Sequence, residues 1–133
     1  MTVATAYQHS AAGRAALVEA AREARLRGDD LVVISVVDSL DLDSRAAVEA
    51  GLEDQVGELL RTHEVGEVTW RSEVAAEDED VTGAVLAVVE RSRASLLVIG
   101  ARQRSPVGKA LTGSVSQQLI LEAPIPVLVV KAG

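Results

Sequence analysis

Short runs of β-branched and aliphatic residues alternate with longer segments of helical period along the whole chain. That alternation restricts the fold more than any other feature. Strands are expected at Val3–Tyr7, Leu31–Val37, Val68–Ser72, Leu96–Ile99 and Val127–Val130. Helices are expected at Ala11–Arg27, Ser44–Thr62, Val81–Arg93 and Ser114–Glu122. In the first helix Leu17, Ala20, Ala21 and Ala24 share one face, with Arg14, Glu19, Arg22 and Arg25 elsewhere. Ser10 suits its N-cap and Gly28 its end. In the third helix Val81, Val85, Val88 and Val89 keep the same spacing. A β-α-β-α series whose strands are apolar on both faces implies an α/β fold, an open parallel five-stranded sheet with helices on both faces. Residues 1–133 show no repeat, low-complexity stretch or linker and read as a single domain.

Two strands carry more information. Val68-Thr69-Trp70-Arg71-Ser72 alternates in character, as an edge strand with one wetter face does. The last, Ile125-Pro126-Val127-Leu128-Val129-Val130, is almost wholly apolar, and a final strand is expected to have nothing beyond it to pair with. An apolar, unpaired edge invites association, so Val127–Val130 is expected to meet its twin in a two-fold homodimer. The competing reading is an interior strand covered by helices, because valine is favoured in any strand with a buried face.

Composition removes several function classes. Hydrophobic residues make up 48% of 133, enough for a core, while the aromatics are Tyr7 and Trp70 alone. No stack of rings is available for single-stranded nucleic acid, and a net charge of −7 argues against nucleic acid and anionic membrane surfaces. The absence of cysteine removes disulfides, thiol catalysis and thiolate metal sites. Apolar runs reach only about seven residues against the ~20 of a membrane span. Residues 1–10 lack the basic start and apolar stretch of a secretion signal. A soluble cytoplasmic domain is the expectation.

The chemistry concentrates in Gly100-Ala-Arg-Gln-Arg-Ser-Pro-Val-Gly-Lys-Ala-Leu-Thr-Gly-Ser114. This stretch follows a strand, holds three glycines and three cations with no acid, and leads into a helix. The remainder of the chain therefore carries −10 against its +3. Gly100 is read as letting the backbone leave the strand sharply, and Gly113 as letting a ligand approach the helix start closely. Free N–H groups in the first turn, with the hydroxyls of Ser114 and Ser116, make an anion site suited to phosphate. Many helix starts carry Gly-Ser without a ligand, so that reading stays open beside it. The Walker pattern fails, since Ala110 follows Gly108-Lys109 and no glycine precedes Gly108 by five residues. No G-x-G-x-x-G follows the first strand, which excludes an ordinary dinucleotide fingerprint.

At this segment the chain resembles the universal stress proteins, the small UspA-like family, and the likeness runs from end to end. Val3-Ala-Thr-Ala-Tyr-Gln-His-Ser10 and Arg14-Ala-Ala-Leu17 resemble the family's opening V-A-V-D-G-S and R-A-L. Leu31–Asp38 is similar to a second strand ending H-V-V-D, and Ala94–Gly100 to A-D-L-I-V-M-G. The family signature G-x₂-G-x₉-G-[ST] falls on Gly100, Gln103, Gly113 and Ser114. Ala123–Val130 resembles the closing A-P-C-P-V-L-V-V. The resemblance implies a Rossmann-like sheet in order 3-2-1-4-5, a dimer through strand five, and a ligand where strands one and four diverge. In nucleotide-binding members the base would lie against Val36 and the residues after strand one, here Gln8, His9 and Ser10. The phosphates would lie on Gly100, Arg102, Gly113, Ser114, Val115 and Ser116, with Gln103 at the signature's second glycine.

The departures bear on function. Gln8 stands where the family has an aspartate that holds ribose or base, which removes a charge-assisted bond of about 1–2 kcal/mol. Gln103 replaces the second signature glycine and either crowds the phosphates or donates to them; His9 replaces a glycine and adds bulk at the same rim. His9 and His63 lack partners at metal spacing, so no metal site is expected, although His9 is placed to tune ligand binding with pH. Glu77-Asp-Glu-Asp80 reads better as an acidic helix entry than as a cation site. Asp38 and Asp41 lie beyond strand two within reach of the cleft or in solvent, and Trp70 reads as edge-strand packing.

The function these residues suggest is a nucleotide-binding stress or signalling module for ATP, ADP, AMP or a cyclic nucleotide, with Mg²⁺ left open, that passes its bound state to a protein partner. The alternative is a ligand-free dimeric interaction scaffold on the same fold. An ATP hydrolase is not expected, for there is no Walker lysine, no general base beside the phosphates and no acid at Gln8 to hold Mg²⁺.

Overall fold

The computed structural model describes residues 1–37, 42–76, 80–101 and 114–131. Five strands and four helices alternate: β1 (Thr2–Ala6), α1 (Ala11–Arg27), β2 (Asp30–Val37), α2 (Leu42–Thr62), β3 (Trp70–Ala76), α3 (Val81–Arg91), β4 (Ala94–Ala101), α4 (Ser114–Glu122) and β5 (Val127–Lys131). The strands form one sheet in the order β3-β2-β1-β4-β5, and every neighbouring pair is parallel. Both the expected order and the expected edges, β3 and β5, are present. No helix among the described residues is long and apolar enough to cross a membrane.

Alternation along the strands splits the core into two layers. Val3, Tyr7, Leu31, Val33, Leu96 and Val98 face α1 and α2, while Ala4, Val32, Ile34, Leu97 and Ile99 face α3 and α4. The buried face of α1 is largely alanine (Ala16, Ala20, Ala21, Ala24) around a fully buried Leu17. Small side chains let this helix lie close over the centre of the sheet, against β1, β2, β4 and β5. Ser10 caps α1, its Oγ accepting from the Gly13 N–H at 3.1 Å, and Gly28 ends the helix at φ 68°.

One strand sits away from its expected place. Val68–Ser72 was the expected span, but Val65 and Val68 are buried in the turn ahead of β3, the Val68 N–H reaching the Val65 carbonyl at 3.4 Å. These valines plug the core between α2 and the sheet. The strand continues to Ala76, with Val74 facing the α1/α2 layer. Arg71 and Glu73 bond to Ser92 and Arg91 at the end of α3. Charges on a strand are tolerated at a sheet edge, where they also discourage pairing with other chains. The other boundaries move by one or two residues, as termini do: Tyr7 lies just past β1, β2 starts one residue earlier, β4 gains two residues at each end, and α3 stops two residues sooner.

Candidate functional site

The chain places β2 and then β3 on one side of β1, and returns to place β4 on the other. Strand order therefore reverses between β1 and β4. In an open parallel sheet the crevice beyond the carboxyl ends at such a point is where ligands bind. The segment Tyr7–Ser10 leaves β1 at this crevice, and Gly100 and Ala101 end β4 beside it.

Two glycines seat the first turn of α1 on these strand ends. A methyl group at Gly100 would strike the Ala12 carbonyl oxygen and lie 2.6 Å from its carbon; one at Gly13 would strike the Gln8 carbonyl oxygen and lie 2.9 Å from its amide nitrogen. The expected sharp exit at Gly100 is corrected by the structure. Gly100 lies within β4, opposite Val130 in the ladder, and among the described residues only Gly28 is a glycine with positive φ. Gly100 is required for close helix–strand packing instead.

Side chains at the crevice divide by character. Gln8 and His9 are exposed at its rim. Ser10 is half-buried and its hydroxyl is engaged in capping α1, so that oxygen has a structural task already. Ala6, Val36, Ala75 and Val115 are half-buried and pack on the same cluster, the core layer under α3 and α4. Ala6, Val36 and Ala75 stand at the carboxyl ends of β1, β2 and β3, and Val115 in the first turn of α4, where Ser116 is also half-buried. The expected set Gln8, His9, Ser10, Val36, Gly100, Val115 and Ser116 thus gathers at the carboxyl edge of the sheet around β1, β2, β4 and α4. Arg102, Gln103 and Gly113 lie outside the described residues, as do the Ser114 side chain, Asp38, Asp41 and Glu77–Glu79.

Other residues singled out in the sequence resolve simply. Asp80 caps α3, its Oδ1 accepting from the Thr82 N–H at 3.1 Å, as a helix-entry acid does. Trp70 packs against the α1/α2 core layer. The His63 ring contacts the Leu59 carbonyl through Nδ1 at 2.9 Å. Among the described residues no three metal-ligating side chains gather. Two hydroxyl hydrogen bonds carry no signal in the sequence. The Tyr7 hydroxyl, nearly buried, donates to Gln55 Oε1 at 3.4 Å, and burial pushes its pKa up while Arg14 pulls it partly back. Thr82, buried on α3, donates its hydroxyl to Gln118 Oε1 on α4 at 2.7 Å. No pattern marked Thr82, because a buried hydroxyl at an apolar helix position looks like any β-branched residue, and the partner of Tyr7 lies 48 residues along the chain.

Residues 1–131 match the universal stress protein family. The chain belongs to that family. A universal stress protein of Mycolicibacterium smegmatis is 37% identical over 130 residues, covering 97% of this chain and 96% of the relative. Two solved universal stress protein structures share the fold. One, in complex with cAMP, is 18% identical with a TM-score of 0.72, covering 100% of this chain and 98% of that one. The other, from Archaeoglobus fulgidus in complex with dAMP, is 23% identical with a TM-score of 0.73, covering 98% and 96%. Nucleotide binding thus occurs within the universal stress protein family.

Proposed function

We propose that this universal stress protein is an adenine-nucleotide-binding module, of ATP, ADP, AMP or cyclic-nucleotide type, that passes its bound state to a protein partner. One observation carries the reading: beside the point where strand order reverses between β1 and β4, the half-buried apolar side chains of Ala6, Val36 and Val115, the last in the first turn of α4, pack on one core layer. A flat apolar surface suits a purine, and free helix N–H groups suit phosphate. The cAMP and dAMP held by the two family structures support the same ligand class. The role is binding rather than catalysis, and adenine nucleotides being intracellular metabolites, the proposed setting is the cytoplasm. Homodimerisation through β5 belongs to the proposal. Val127–Val130 are all only half-buried although they touch both core layers, and Ile120 and Leu121 just before them are exposed. A second reading, a scaffold without nucleotide, draws on Gln8, which offers the crevice an exposed amide and no carboxylate.

Thermal unfolding with ATP, ADP, AMP, cAMP and dAMP, each with and without Mg²⁺, tests the proposal. A nucleotide at about 100 times its dissociation constant stabilises by about 2.7 kcal/mol, a rise in midpoint on the order of 10 °C. Flat curves with all five favour the scaffold. In that case Gln8→Asp combined with Gln103→Gly should create binding where there was none.

A further inference from the structure

We infer that Thr82 is a positioning residue for the nucleotide site, setting the placement of α4 through its hydrogen bond to Gln118. The inference rests on the nucleotide reading of the crevice and deepens it. Thr5 and Thr82 are the buried polar residues among those described. The Thr5 hydroxyl donates to the Val98 carbonyl and so serves the sheet. Thr82 is different, because its 2.7 Å bond joins two helices through their side chains. A valine would match its shape and spare a hydroxyl the cost of leaving water, so the polar group has to be explained by what it holds.

What it holds is the helix that supplies the site's N–H groups. Gln118 lies four residues after Ser114, about one turn along α4, beneath the turn that begins the helix. Gln118 is itself exposed and reaches α3 only through this bond, while the buried anchor of α4 is Leu119, which sits in the core layer with Val85 and Val88. Apolar burial is non-directional, and Leu119 with the half-buried Val115 leaves a nine-residue helix room to shift about its apolar contacts. A short hydrogen bond has direction. Leu119 and Gln118 together fix both the rotation and the height of α4. Thr82 is itself held at the start of α3, where its N–H donates to the Asp80 cap at 3.1 Å. The link therefore ties α4, one turn past its start, to a capped helix end rather than to a free one.

The test compares the full chain with Thr82→Val, Thr82→Ser, Gln118→Leu and the double variant Thr82→Val/Gln118→Leu. Calorimetric titration with ATP and dAMP is run well below each unfolding midpoint, and amide hydrogen exchange of residues 118–122, whose N–H groups bond within α4, is followed without ligand. Thr82→Val should weaken nucleotide binding about 3- to 10-fold, the worth of one neutral hydrogen bond, and Thr82→Ser should restore it. The double variant should bind no worse than the poorer single variant, since both remove one link. A merely structural threonine would lower the midpoint and leave affinity unchanged, which overturns the inference, as does failure of Thr82→Ser to restore binding. If the unaltered chain binds neither nucleotide, the functional reading fails and exchange decides the link. Faster exchange at 118–122 in Thr82→Val but not in Thr82→Ser supports it, and unchanged exchange overturns it.

Discussion

Replacing Gly100 by alanine should destabilise the protein, and the same replacement at Gly51 should stabilise it. At Gly100 the added methyl would strike the Ala12 carbonyl oxygen, 2.6 Å from its carbon and 3.0 Å from the Ala12 Cβ. Ordinary carbon contacts lie near 3.5–4.0 Å, so the first turn of α1 has to retreat by roughly 1 Å. That turn cannot retreat freely, because Gly13 seats it on Gln8. Overpacking of this kind costs about 1–3 kcal/mol, and the backbone nature of the obstacle favours the upper half. Alanine in a strand recovers about 0.5–1 kcal/mol of chain entropy. The net loss is about 1–2 kcal/mol, a fall in midpoint of roughly 3–10 °C. At Gly51, within α2, nothing lies within 4 Å of an added Cβ, and only the propensity gain of about 0.5–1 kcal/mol remains. Thermal unfolding followed by circular dichroism reads both. Equal signs for the two substitutions would refute the claim that α1 is seated on the end of β4.

Three further outcomes are expected. Burial raises the Tyr7 pKa from 10.0, so the folded chain favours the neutral phenol; that stability is complete below about pH 10 and is lost as pH climbs through the raised value. Urea unfolding at alkaline pH should show a shallower decline for Tyr7→Phe, and parallel curves would remove Tyr7 as the cause. Ser10→Ala strips the cap from Gly13 N and should cost about 1 kcal/mol in the same assay; no loss would mean the Ser10 hydroxyl is free for a ligand. Val129→Glu places a charge on the half-buried β5 edge, and light scattering at micromolar concentration should report a dimer for the parent and a monomer for the variant. A monomeric parent would end the dimer proposal.

The fold was legible because it is written in period. The alanine stripe of α1, the valine spacing of α3 and the bare apolar runs of the inner strands each have one burial solution, and the structure adopts it. β3 was displaced because period cannot tell an apolar residue in a strand from one plugging a turn. Val65 and Val68 do the second, while Glu73 disguises the strand that follows. Of the residues expected at the site, spacing against the strand ends made the placement legible for Gln8–Ser10, Val36, Gly100 and the start of α4, while their binding role belongs to the proposal. A hydrogen bond such as Thr82 to Gln118 depends on how two helices cross, and nothing local in the sequence encodes it.

The crevice separates two kinds of requirement. Gly13, Gly100 and the Ser10 cap fix where the backbone runs, and they do so through atoms that no ligand needs to touch. Gln8 shows the consequence most directly. Its main chain is clamped, its carbonyl accepting from the Ser10 N–H at 2.8 Å beneath Gly13, while its side chain is exposed at the rim. Exchange of a carboxylate for an amide at that position therefore alters what the crevice can hold without disturbing how it is built. The same holds for His9, exposed beside it. The fold can thus persist through changes of ligand chemistry on the β1 side, and under the proposed function affinity for a nucleotide would have to come from α4 and the apolar side chains beside it, with no carboxylate at Gln8.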